Sequence, residues 1–92
     1  MSIAQGITFH LPSHRRFIPY SWLLYAEMNE AGTELYLQYN HCIVTITGTE
    51  LRALHEAMEQ FHLHTVRECP SSGSSWKSAT VSRIEIAEKV SD

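Results

Sequence analysis

Between Ser21 and Thr47 three short apolar-alternating runs are joined by two turn-like breaks. Successive side chains on a strand point to opposite faces, and a hairpin loop sets which residues stand opposite each other, so the two breaks test one another. Asn40-His41 reads as a two-residue turn, since Asn tolerates left-handed backbone and His does so more often than most residues. It pairs Tyr39 with Cys42, Leu37 with Val44 and Leu35 with Ile46. A four-residue loop over Asn29-Glu30-Ala31-Gly32 pairs Met28 with Thr33, Ala26 with Leu35, Leu24 with Leu37 and Trp22 with Tyr39. Both hairpins choose the same face. A one-residue slip in either would turn its apolar set outward, so the agreement supports the register as well as the strands.

The chain has 92 residues, which allows one domain. A chain this short buries only about 60 to 65% of its unfolded surface, so its stability is marginal and oligomerisation is a common supplement. With 43% hydrophobic and 18% charged residues the composition is that of a globular protein, and a net charge of -3 gives no attraction to phosphate backbones or anionic lipid. Nucleic acid and membrane are therefore disfavoured as partners. The uncharged apolar run Tyr20 to Ala26 is too short to span a bilayer, and no signal-peptide pattern opens the sequence, so the expectation is a cytoplasmic protein.

Upstream of the meander, Ile7 and Phe9 alternate with Thr8 and His10 as in a short strand stopped by Pro12. Ser13-His14-Arg15-Arg16 reads as a polar connection, and Pro19 biases Ile18 to extended backbone. Downstream, Thr47 with Glu50 fits a capping box, and Leu51, Leu54, Met58 and Phe61 recur at helical spacing. That helix is expected to lie over Trp22, Leu24, Leu37, Val44 and Ile46. Residues 62-68 fit a short strand or a frayed helix end, and the strand reading is preferred for the β-branched Thr65 and Val66. Residues 78-89 fit either periodicity, and Thr80, Val81, Ile84 and Ile86 tip them to strand. The expected fold is a small single α+β domain with an antiparallel sheet built around a three-stranded meander (about 20-28, 33-39 and 42-47). One helix (about 49-61) packs on one face. A single sheet is the simplest assembly, because parallel pairing needs crossover connections.

Chemistry-bearing patterns are sparse. Two cysteines make no disulfide framework; Cys42 falls on the core face, and Cys69 beside Pro70 is the more accessible. Six histidines raise the question of a metal, and His62 and His64 would share a face on a strand, but no paired CxxC or HExxH accompanies them. No cofactor is implied. The carboxylates sit in a loop or on the polar side of the helix, where they are usually solvated, and four glycines form no phosphate-binding loop. Catalysis has no positive support.

The meander's second face is unusual. Leu23, Tyr25, Tyr36 and Ile43 project from it among Gln38, Thr45 and Thr47, with Tyr25 opposite Tyr36, whereas a solvated face is mostly polar. Another part of the chain, a second copy, a different protein or stacked nucleic-acid bases could cover it, and the scattered Lys and Arg make the last the poorest fit. Trp76, in a serine-rich stretch, is either a loop anchor or a contact residue. The leading expectation is a non-enzymatic homo-oligomerising or protein-interaction module using this face. A metal-binding protein using His62 and His64, or a small-ligand pocket between helix and sheet, is the alternative.

Overall fold

The computed structural model describes residues 5–68 and 80–89, so Cys69, the serine-rich stretch and Trp76 lie outside the described residues. Along the chain run β1 (Gly6–His10), β2 (Arg15–Pro19), a 3-10 turn (Tyr20–Trp22), β3 (Leu23–Met28), β4 (Glu34–Tyr39), β5 (Cys42–Thr49), α1 (Arg52–Glu59), β6 (Thr65–Arg67) and β7 (Thr80–Glu88). Among the described residues the meander, one α-helix and the α+β class follow the sequence reading.

Two sheets replace the expected one. β3, β4, β5 and β7 form an antiparallel sheet in that order, and β2, β1 and β6 form a second in which β6 runs parallel to β1. Arg15 and Arg16, expected in a connection, belong to a strand because Ile18 two residues on is buried opposite Ile7. The meander and helix between β1 and β6 supply the crossover that parallel pairing requires.

The second hairpin has the expected register, with Leu37 opposite Val44 and Leu35 opposite Ile46. In the first, Ala26 stands opposite Leu37 and Met28 opposite Leu35, two residues from expectation. The loop starts one residue later than the sequence suggests, because Asn29 closes it: its backbone N–H donates to Glu34 O, and its side chain accepts from the N–H groups of Thr33 and Glu34 at 2.9 and 3.1 Å. Gly32 supplies the left-handed residue, at φ 71°. A shift of two keeps every side chain on its face, so Ala26 and Met28 still pack on the core.

A bulge between Leu23 and Tyr25 does change faces. It sets Leu23 opposite Tyr39 and packs it against the core. Trp22 and Leu24, expected in the core, are instead 42% and 59% exposed.

The helix is shorter than expected and uncapped by side chains. Thr47 and Thr49 are in β5, which pairs to its end with β7, so the Thr47–Glu50 capping box does not form. That pairing depends on Gly48, since a Cβ there would lie 1.8 Å from Thr80 O. After Glu50 turns left-handed, at φ 55°, the Leu51 N–H donates to Gly32 O at 3.0 Å and the helix begins. It ends in a Schellman pattern, with Phe61 N–H donating to Met58 O and His62 N–H to Ala57 O. Phe61 occupies the left-handed position that favours glycine, at φ 58°, and so leaves the buried stripe; its ring meets Tyr20 edge-on at 5.1 Å.

One apolar cluster joins both sheets and the helix, through Ile7, Phe9, Ile18 and Val66 from one sheet, Leu35, Leu37, Val44, Ile46 and Ile84 from the other, and Leu51, Leu54 and Met58. Each fully buried aliphatic side chain contributes about 1.5 to 3 kcal/mol. Tyr20 ties in the chain after α1, its hydroxyl donating to Leu63 O at 2.6 Å while burial pushes its pKa up to about 12. Along β7, the Ile84 N–H donates to the Glu68 carboxylate at 2.8 Å, and Arg16 of β2 pairs with Glu88 at 2.6 Å.

Candidate interaction face

The helix and the three-stranded sheet fill one side of the four-stranded sheet, and the pairing registers arrange the other side in rows. Tyr25, Gln38, Ile43 and Ala87 form one row across β3, β4, β5 and β7. Glu27, Tyr36, Thr45 and Glu85 form the next. Glu34, Thr47 and Arg83 follow on the last three strands. The face is thus apolar beside the β4–β5 turn and acidic further along.

Of the residues singled out by sequence, Tyr25 is 51% exposed, while Tyr36 and Ile43 are half-buried by their strand neighbours. Leu23 is not with them, because the bulge turns it to the core. Tyr25 stands opposite Gln38, and Tyr36 opposite Glu27, so the expected tyrosine pair is not directly opposed. Tyr36 donates its hydroxyl to the Glu34 carboxylate two residues away on the same face. That bond, with lesser contributions from desolvation and the Glu34 charge, raises the Tyr36 pKa. Trp22 and Leu24, which the sequence reading put inside, extend the exposed apolar surface along β3, and Trp22 lies against the His41 ring at 4.9 Å.

The other candidates separate. His62 and His64 precede β6 and do not lie on a strand, and the His64 Nδ1 is 3.0 Å from Thr65 Oγ1. Among the described residues no group of three or more His, Cys, Asp or Glu side chains is placed to hold a metal ion. Cys42 is buried, and burial pushes its thiol pKa up, away from the thiolate needed of a nucleophile. Between α1 and β3 an open cleft of about 250 Å³ is lined by Leu23, Ala26, Met58 and Phe61, with His55 and Glu59 at 3.7 Å from each other. Among the described residues no helix is long and apolar enough to cross a membrane.

By fold and surface the chain is a two-sheet α+β protein with one partly apolar outer sheet face. Compared with family models, curated proteins and solved structures, it matches none.

Proposed function

We propose that the chain is a non-enzymatic interaction module that docks another protein chain, a second copy or a different protein, on the outer face around Tyr25, Tyr36 and Ile43. The observation carrying this reading is the register: it lines Tyr25, Ile43 and Ala87 in one row on the side away from the helix and the other sheet. Exposed apolar surface of this kind marks association sites, and a short domain gains stability from a partner.

The test compares urea unfolding of Tyr25→Ser and Ile43→Thr with that of Leu37→Ala. A docking face unnecessary for folding predicts losses below about 1 kcal/mol for the first two, against about 2 to 5 kcal/mol for the core substitution. Core-sized losses at Tyr25 and Ile43 that are the same at all protein concentrations would mean that the face is packed within the folded chain, and the reading would fall. Sedimentation over a concentration series then identifies the partner. An associating species lost on Tyr36→Glu means a second copy, and a constant monomer mass removes that version.

A further inference from the structure

The outer face of the three-stranded sheet carries a different pattern. Ile7 and Phe9 are buried, so Thr8 and His10 of β1 point the other way. The registers set Arg15 of β2 and Arg67 of β6 directly opposite His10 on its two sides, and Phe17 and Thr65 opposite Thr8. Arg15 and Arg67 are exposed, and Phe17 is 55% exposed. Three cationic or potentially cationic side chains thus stand in one row across three strands.

Such a row is unfavourable by itself, since like charges opposite each other on a sheet repel. The other arginines have partners: Arg16 pairs with Glu88, Arg83 with Glu85, and Arg52 donates to the Glu30 carbonyl. Among the described residues neither Arg15 nor Arg67 lies within ion-pair distance of a carboxylate. Glu68, next to Arg67 in sequence, accepts the Ile84 N–H on one carboxylate oxygen and, lining the hollow beside Arg67, offsets only part of the row's charge. An open hollow of about 390 Å³ adjoins the row, lined by His10, Leu11, Pro12, Arg67 and Glu68. His14 stands at the same end, where its carbonyl accepts from Leu11 N–H and its ring meets the Ser13 hydroxyl at 2.9 Å.

We propose that Arg15, His10 and Arg67 form a binding site for a phosphoryl dianion, either free phosphate or the head of a monoester; the Phe17 ring turns the other way along β1, over Gly6, and takes no part. Strands lie about 4.8 Å apart, so the two arginines rise from backbones about 10 Å apart and can reach a phosphoryl group centred over His10. Guanidinium forks match phosphate oxygens in geometry and charge, and the imidazole supplies a donor between them. A phosphoryl dianion offsets the row's charge, which a single carboxylate does only in part. The site is on the opposite sheet from the proposed docking face and stands or falls separately.

The full chain, at low ionic strength in a phosphate-free buffer, is titrated with inorganic phosphate and with phenyl phosphate while amide and side-chain resonances are followed by NMR. The expected result is saturable shifts centred on His10, Arg15 and Arg67, the tighter of the two probes distinguishing a monoester from free phosphate. Phe17→Leu should leave the affinity within twofold. Arg67→Gln should weaken binding tenfold or more, and Arg83→Gln, with the same change in net charge, less than twofold. Unchanged circular dichroism and urea midpoints establish that the variants fold. Equal losses from Arg67→Gln and Arg83→Gln would mean diffuse charge attraction, and no saturable shift at millimolar concentrations of either probe would mean no site; either overturns the proposal.

Discussion

His10 illustrates how burial and neighbours on the adjoining strands together shape the chemistry of one residue. Its pKa is held below the ordinary 6.5, first by desolvation and then by Arg67 and Arg15. The folded chain therefore binds the imidazole proton less readily than the unfolded chain does. Whatever stability follows from this is fully present above the unfolded value of 6.5 and is lost as pH falls through it towards the lower folded value. Urea unfolding at pH 7.5 and pH 5 in a phosphate-free buffer should show an acid loss that His10→Gln reduces; an identical loss in the variant would place its origin elsewhere. Nothing in the local sequence foretells this. His10 and Pro12 announce a strand end, while Arg15 and Arg67 become its neighbours only through pairing.

At the scale of elements, local pattern identified the strands well and their ends poorly. Leu35, Leu37, Val44 and Ile46 alternate so regularly that the β4–β5 register could be read in advance, because the turn between them has one plausible length. The first hairpin kept its faces but moved by two, since both positions satisfy the same alternation and only the Asn29 hydrogen bonds choose between them. The Thr47–Glu50 pattern is a sound local cap signal that loses to tertiary pairing: β5 continues along β7 until the chain turns at Glu50. Gly48 is the residue that makes this possible. Gly48→Ala forces its methyl into the Thr80 carbonyl and should destabilise the chain by about 1 to 3 kcal/mol, read from the urea midpoint. A neutral effect would show that the β5–β7 pairing relaxes without cost.

Across the whole molecule the two outer faces differ in charge. The four-stranded sheet presents Glu27, Glu34 and Glu85 beside its apolar row, with Arg83 paired to Glu85, and the three-stranded sheet presents Arg15, His10 and Arg67. This asymmetry bears on self-association. A two-fold axis along the strands that lays the acidic face on its own copy brings Glu27 over the partner's Glu85, and an axis across them through that row brings Glu27 over its own mate. Either juxtaposes carboxylates, which repel. Dimerisation through the full face should therefore strengthen with added salt, whereas docking of a basic partner should weaken, a contrast that sedimentation at low and high salt resolves. A dimer weakened by salt would require a different contact, such as an acidic face against the basic row of the next copy.

The sequence by itself determined the α+β class, the meander, the helix and which side of β4 and β5 is buried, because alternation and turn length are local properties of the chain. Tertiary structure decided that Leu23 goes in and Leu24 out, since a bulge leaves no mark in a hydrophobic run. It also decided that β6 pairs parallel to β1 and so assembles the Arg15–His10–Arg67 row. Pairing between strands far apart in sequence is governed by how the whole apolar cluster closes, and no stretch of residues carries that information alone.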